Sequence, residues 1–144
     1  MFFVIDANII FSVLIRGEFT LSLLYMLRNA GYKLVTPRIV LEEIEDNKGK
    51  ILKYSRFFED EIEFVLNDVL AKLVKPLPTS FFNASLQQAS EICSDKDDVP
   101  YVALSLALDK APIWSNDKTL LEDCRKASIK VLSTEDVKSL LGIK

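Results

Sequence analysis

The sequence predicts an α/β fold built on a mainly parallel sheet, and two observations carry that prediction. Short apolar stretches with strand character alternate along the chain with longer stretches of helical spacing, which is typical of parallel sheets connected by helices. The first stretch, residues 2–5, is apolar at four consecutive positions, as expected for a central strand covered by helices on both faces. At 144 residues the chain has the size of one ordinary domain, so we expect a single domain over 1–144.

Five short strands are expected in chain order: residues 2–5, 32–35, 73–75, 112–115 and 129–132. Between and after them the apolar spacing predicts helices over residues 8–15, 21–30, 37–45, 59–70, 81–93, 99–108, 118–127 and from 134 onwards.

Turn and capping residues set several boundaries of these elements. Gly31 suits the end of the second helix. Thr36 suits an N-cap and Pro37 a first helical position, so the third helix is expected to begin there and to bury Val40, Leu41 and Ile44. The segment 133–136 resembles a capping box in which Asp replaces Glu or Gln.

Composition excludes several classes of site. The chain has no histidine, which removes serine–histidine and cysteine–histidine hydrolases and the usual histidine-bearing zinc sites. Its two cysteines, Cys93 and Cys124, match no metal-ligand spacing and are expected to be reduced thiols in the cytoplasm. No apolar run is long enough for a bilayer and no basic segment precedes the first apolar stretch, so neither a membrane segment nor a signal peptide is expected. The net charge of −3 argues against bulk attraction to nucleic acid.

Acidic residues follow two of the predicted strands at equivalent places. Asp6 and Asp117 each lie just after an apolar strand and just before a helix, and right-handed crossovers bring such strand ends to one edge of a sheet. Asp98, in the first turn of the most apolar helix, and Glu43, about two turns into the third helix, can approach the same edge. Four converging carboxylates would repel one another, and Mg²⁺ or Mn²⁺, which prefer oxygen ligands, would neutralise them.

Simpler roles compete with this hypothesis. Asp is a favoured N-cap residue, and that alone would explain an aspartate at position 6, 98 or 117. Glu43 has an acidic neighbour at position 42, and Asp98 has one at position 97, so the helix face decides which residue of each pair points inward. Spacing along one helical face favours Glu43 and Asp98.

In four segments the chain resembles the PIN-domain nucleases: residues 4–10, 37–44, 98–105 and 114–121. The resemblance implies a three-layer α/β/α sandwich with a mainly parallel central sheet. It also implies a carboxylate cluster that binds Mg²⁺ or Mn²⁺, assigned by position to Asp6, Glu43, Asp98 and Asp117. Asn8 and Ser115 fall where the family often has polar supporting residues, whereas Ala7 replaces a common Thr or Ser.

The resemblance further implies cleavage of RNA, often by the toxin of a toxin–antitoxin pair, and a homodimer. We therefore expect a metal-dependent endoribonuclease that acts on single-stranded or loop RNA. Basic residues near the predicted site are candidates for RNA binding, although such residues more often belong to a solvated face: Arg16, Lys48, Lys50, Lys53 and Lys118.

Two other functions remain open at this point. A Mg²⁺-dependent phosphatase or phosphotransferase would use Asp6 as its nucleophile, but such enzymes commonly have a second Asp two residues on, where this chain has Asn8. An inactive PIN-like binding module is the other alternative, and the complete set of four carboxylates argues against it.

Overall fold

The computed structural model describes residues 1–16, 18–55 and 58–143. Its strands are β1 (Phe2–Ile5), β2 (Lys33–Pro37), β3 (Val74–Leu77), β4 (Ile113–Trp114) and β5 (Val131–Leu132). Its helices are α1 (Ala7–Arg16), α2 (Glu18–Asn29), α3 (Val40–Asp46), α4 (Lys48–Tyr54), α5 (Glu59–Lys72), α6 (Thr79–Phe82), α7 (Leu86–Ile92), α8 (Val99–Ala107), α9 (Lys118–Lys126) and α10 (Thr134–Leu140).

The five strands form one parallel sheet in the order β3-β2-β1-β4-β5. β1 lies in the middle because its side chains are apolar in both directions: Phe3, Val4 and Ile5 are all fully buried. The sequence-based prediction of an α/β fold with a parallel sheet is confirmed.

Helices flank this sheet in a way that follows from the strand order. The chain moves from β1 to β2 to β3 in one direction and then returns past β1 to β4 and β5. Right-handed crossovers therefore place α1 to α5 on one face and α8 and α9 on the other. On the second face α8 packs against β1 and β2 and also contacts α6 and α7. Two helical layers thus enclose the sheet.

The boundary predicted at Thr36 and Pro37 is wrong. Both residues belong to β2, where Thr36 pairs with Pro76 and Pro37 with Leu77. The Thr36 hydroxyl is buried and donates a 2.8 Å hydrogen bond to the Ile5 carbonyl, so the sheet uses the side chain that local propensity assigned to a helix cap.

The third helix also differs from the prediction in its start and its buried face. α3 begins at Val40, and Ile39 precedes it with no side-chain cap. Val40 and Ile44 are buried as expected, whereas Leu41 is 42% exposed. Val40 and Ile44 lie four positions apart on one face of the helix, and Leu41 lies outside that face.

Three further elements refine the prediction. β3 continues through Pro76 to Leu77, which is allowed because β3 is an edge strand and a missing N–H there costs no internal hydrogen bond. The single helix expected over 81–93 is divided into α6, a 3-10 turn at 83–85 and α7. α8 contacts all three pieces. The capping box is confirmed: Ser133 and Asp136 exchange side-chain to backbone hydrogen bonds at the start of α10.

None of the helices in the described residues has the length and apolar character that crossing a membrane requires.

Candidate functional site

The candidate site lies where the strand order reverses. β1 and β4 are neighbours, but the chain leaves β1 toward β2 and leaves β4 toward β5. The carboxyl ends of such strands border a crevice in which α/β proteins commonly bind ligands. Asp6 directly follows β1, and Asp117 follows β4 as the N-cap of α9. The topology therefore brings the two strand-end aspartates to one crevice.

Asp6 is held in a nearly enclosed position. Its side chain is 9% exposed, its Oδ2 accepts a 2.6 Å hydrogen bond from the Ser115 hydroxyl, and its Oδ1 accepts a long one from the Asn8 N–H. Burial raises the pKa of Asp6, and the charge of Asp117 raises it further, while the hydrogen bonds from Ser115 and Asn8 oppose the shift. A buried anion with a second anion nearby is a position that favours a cation.

Ser115 connects the two strand ends. Besides donating to Asp6, its Oγ accepts a 3.1 Å hydrogen bond from the Asp117 N–H, and its side chain is 2% exposed. Asp117 in turn caps α9, because its Oδ1 accepts from the N–H groups of Thr119 and Leu120. The predicted capping role of Asp117 is therefore real, and it fixes one oxygen of this carboxylate.

Glu43 approaches from α3 and is held by a tyrosine of α8. The hydroxyl of Tyr101, a residue that is 3% exposed, donates a 3.1 Å hydrogen bond to Glu43 Oε1. Burial raises the pKa of Glu43, and the charge of Asp6 raises it further, against the effect of the Tyr101 hydrogen bond. Its neighbour Glu42 is exposed, so Glu43 is the acid of the pair that faces inward.

Asp98 stands at the start of α8 without capping it. No side-chain hydrogen bond to the helix is present, and its Oδ2 is buried with no hydrogen-bond partner in the described residues. Burial raises the pKa of Asp98 to about 7, with further contributions from Asp117, Asp95 and Asp6. At neutral pH such a carboxyl is only partly ionised, and a bound cation would favour its charged form.

The oxygen atoms of these four acids are suitable ligands for a divalent metal ion, although the side chains do not converge on one point. Among residues 1–16, 18–55 and 58–143, no three acidic or thiol groups are close enough to share one ion. The charge of Asp117 nevertheless raises the pKa values of Asp6 and Asp98, and the charge of Asp6 raises those of Glu43 and Asp98. The unpartnered oxygen of Asp98 is a vacant oxygen ligand of the kind that Mg²⁺ and Mn²⁺ use. Metal binding would therefore require short side-chain movements toward a common centre.

The predicted supporting and basic residues fall into different environments. Asn8 is exposed and contributes its backbone N–H to Asp6, and Ser115 is buried within the site. Lys118 is an exposed residue in the first turn of α9. Arg16 ends α1, and its side chain lies outside the part of the chain that the structure describes.

The three lysines of α4 differ in what they can bind. Lys48 forms ion pairs with Glu45, Glu59 and Glu63 at 4.0, 3.3 and 3.0 Å, which argues against a role in phosphate binding. The Lys53 ammonium lies 5.5 Å from the centre of the Tyr54 ring. Lys50 is exposed and forms no ion pair with the other described residues.

Sequence reasoning gave no role in the site to Tyr101. The signal that could have found it is its spacing: a hydroxyl-bearing residue three positions after Asp98 lies on the same helical face. It also missed Asn116, whose amide exchanges hydrogen bonds with Thr134 on α10 and so fixes the loop between β4 and α9. Nothing local in the sequence indicates that contact, because 18 residues separate the two partners.

The chain is similar to a solved structure and matches a family model. No curated protein matches the chain. Among solved structures, the chain is similar to one from VapBC2 of Rickettsia felis, crystallised bound to a DNA fragment from their promoter. The TM-score is 0.65 at 13% identity, over 92% of this chain and 98% of that chain, which establishes likeness of fold. A model of the PIN domain matches residues 4–141. Since that match spans nearly the whole sequence, the chain belongs to the PIN-domain family of nucleases.

Proposed function

We propose that this protein is a metal-dependent endoribonuclease in which Asp6, Glu43, Asp98 and Asp117 hold Mg²⁺ or Mn²⁺. The observation that carries the proposal is the set of acids at the strand-order switch point, one of which has a buried oxygen with no hydrogen-bond partner among the described residues. Membership of a nuclease family supports it. Because the sequence has no histidine, the ligands of a metal ion in this site would be oxygen atoms rather than imidazole nitrogens.

Each side chain has a distinct task in this proposal. A divalent ion at such a site lowers the pKa of a water molecule and stabilises the charge that develops on the phosphate. Ser115 fixes the Asp6 carboxylate, and Tyr101 fixes that of Glu43. Because both donors are buried, they restrict the orientations of the two carboxylates before these move toward a common metal. Asp98 completes the set with the oxygen that lacks a partner.

RNA as the substrate and a toxin–antitoxin role are further parts of the proposal. Support for both comes from the family resemblance, in which RNA cleavage by the toxin of such a pair is common.

We also propose that the protein binds an antitoxin protein and forms a homodimer in the cytoplasm. Light scattering on the purified chain tests the dimer, which a monomer at micromolar concentration would exclude. Growth arrest on induction tests the toxin role, which requires arrest by wild type and normal growth with Asp6→Asn.

The direct test of the enzyme is cleavage of a mixed-sequence, end-labelled RNA with Mn²⁺ or with a chelator. Wild type is compared with Asp6→Asn and with the matched control Asp109→Asn. Asp109 is an exposed residue with a positive φ of 56°, a conformation that Asn tolerates well. We expect metal-dependent cleavage by wild type and the control, and none by folded Asp6→Asn.

Other outcomes would contradict the proposal. Equal cleavage by all three proteins would indicate a contaminating ribonuclease. Hydrolysis of a small phosphomonoester, without cleavage of RNA, would instead support a phosphatase that uses Asp6 as its nucleophile. Failure to act on either substrate with Mg²⁺ and Mn²⁺ would support an inactive binding module.

A further inference from the structure

A recess of about 690 Å³ opens beside the carboxylates, between α1, α3 and α4. Glu43 lines it, and so does Asn116 from the loop after β4, so a ligand in the recess touches the proposed catalytic site. Its volume is within the range of small-molecule and cofactor sites. We propose that this recess binds one unpaired nucleotide of an RNA strand next to the bond that is cleaved. The inference rests on the proposed function and specifies its substrate.

The charge of the recess suits a phosphate. Among the described lining residues, Lys50 is the cation and Glu43 the carboxylate. Lys50 is exposed and has no ion pair with another described residue, in contrast to Lys48 two positions earlier, which contacts three glutamates. A lysine held by carboxylates offers little to a phosphate, whereas Lys50 keeps its charge for a ligand. The recess therefore provides one phosphate contact close to the acids.

Aromatic and amide groups of the recess suit a base. The Tyr54 ring is 58% exposed and forms one wall, with Phe11 on α1 also in the lining. Exposed aromatic faces of this kind stack on bases of any sequence. Asn8 presents an amide that has no hydrogen-bond partner in the described residues. Asn47 uses its Nδ2 to reach the Glu43 carbonyl at 2.7 Å and keeps its Oδ1 as an acceptor. Neutral amides can pair with base edges without a charge preference.

This combination selects an unpaired strand rather than a duplex. A base can enter a recess and stack on Tyr54 only if it leaves its helix, and RNA-binding proteins that contact bases mostly use loops and single strands for this reason. With one cation among its described lining residues, this part of the recess shows no row of positive charges of the kind that holds a duplex by its backbone alone.

The test separates binding from cleavage. Affinity for a short labelled single-stranded RNA is measured by fluorescence anisotropy in excess chelator, over a range of salt concentrations, for wild type and four variants. Tyr54→Ala and Lys50→Gln change the recess. Tyr25→Ala and Lys130→Gln are matched controls, since Tyr25 is 41% exposed on α2 and Lys130 is exposed beside β5.

We expect Tyr54→Ala to weaken binding about tenfold, in line with the loss of one base stack. Lys50→Gln should reduce the slope of log Kd against log salt by about 0.7, the value for one phosphate on a single strand. The controls should match wild type, and a duplex of the same sequence should bind more weakly than the single strand.

Failure of this inference differs from failure of the proposed function. If wild type cleaves RNA with Mn²⁺ but Tyr54→Ala binds and cleaves as the controls do, the nuclease stands and the recess does not bind a nucleotide. A segment of a partner protein would then be the alternative occupant of the recess. If wild type binds RNA through Tyr54 but cleaves nothing, nucleotide binding by the recess stands, and both the nuclease and the placement of the nucleotide beside a cleaved bond fall. Absence of any RNA binding by wild type overturns the recess proposal.

Discussion

The Asp98 carboxyl should make the metal-free protein less stable as pH rises. Its pKa is 3.8 in an unfolded chain and about 7 in the folded protein, chiefly because it is buried. Between about pH 4 and pH 7 the folded protein therefore holds a proton that the unfolded chain has released, so the free energy of unfolding falls as pH increases through that window. A difference of about three pH units corresponds to at most about 4 kcal/mol. Since the side chain is only partly buried, solvent screening reduces the expected loss to about 1–2 kcal/mol.

Asp98→Asn isolates this contribution. The amide is neutral at every pH, so the variant should be as stable as wild type near pH 4 and about 1–2 kcal/mol more stable at pH 8 in excess chelator. Urea unfolding at both pH values, followed by circular dichroism, measures the difference. The same substitution should abolish metal-dependent cleavage, because it removes the vacant oxygen ligand. A variant that gains stability and loses activity has lost a functional group and kept its fold.

A stability difference that is the same at pH 4 and pH 8 would contradict this prediction, since titration of Asp98 would then not be its source. Lower stability of the variant at pH 8 would be equally contradictory. A second measurement uses Mn²⁺: a ligand of the native state raises the free energy of unfolding with concentration. Wild type should gain stability at pH 8 as Mn²⁺ is added, and Asp98→Asn should gain much less.

Three further substitutions test the groups around the acids. Tyr101→Phe removes the hydroxyl that orients Glu43 and should lower kcat about tenfold or more, as losses around ligand groups do, with unchanged KM for RNA in steady-state assays. Ser115→Ala should raise the pKa of Asp6 further and move the rising limb of the pH–rate profile upward; an unmoved limb would exclude this link. Thr36→Val leaves a buried carbonyl of β1 without its donor and should cost about 1–3 kcal/mol in urea unfolding, with the metal dependence of cleavage retained.

Much of the fold could be predicted from local sequence patterns, because runs and regular spacings of apolar residues mark most of its strands and helices. The central position of β1 is predicted by its unbroken run of apolar residues, and the start of α10 by its capping box. The predicted element boundaries were wrong where pairing with a residue distant in sequence determines the secondary structure. Thr36 and Pro37 have the propensities of a helix start, but pairing with β3 extends β2 across both positions. The hydroxyl of Thr36 then satisfies a carbonyl of the neighbouring strand.

The positions of the four acids could be expected from the sequence, and so could supporting roles for Asn8 and Ser115 from the family resemblance, whereas the contact between Tyr101 and Glu43 could not. Strand-end aspartates are visible in a sequence because they interrupt apolar runs, and the helical face separates Glu43 from Glu42. The hydrogen bond from Tyr101 to Glu43 spans 58 positions, and the one from Ser115 to Asp6 spans 109. Only the packing of α8 and the pairing of β1 with β4 bring these partners together. The roles of the four acids and of the supporting residues remain predictions until the variants are measured.

The distribution of buried polar groups gives an independent reason to regard this edge of the sheet as functional. Among the described residues, the buried polar or charged ones are Asp6, Thr20, Thr36, Ser105 and Ser115. Three of these five lie at or just after the carboxyl ends of β1, β2 and β4. Burying polar groups costs free energy unless each is paired, so a fold selected for stability alone would place apolar side chains there. Hydroxyl donors reduce the cost at Asp6 and Glu43, while Asp98 keeps an oxygen with no donor in the part of the chain that the structure describes. Several buried polar groups therefore lie together at one crevice, beside a recess. Such a cluster is typical of a functional site, where ligand binding offsets the free-energy cost of burying the polar groups.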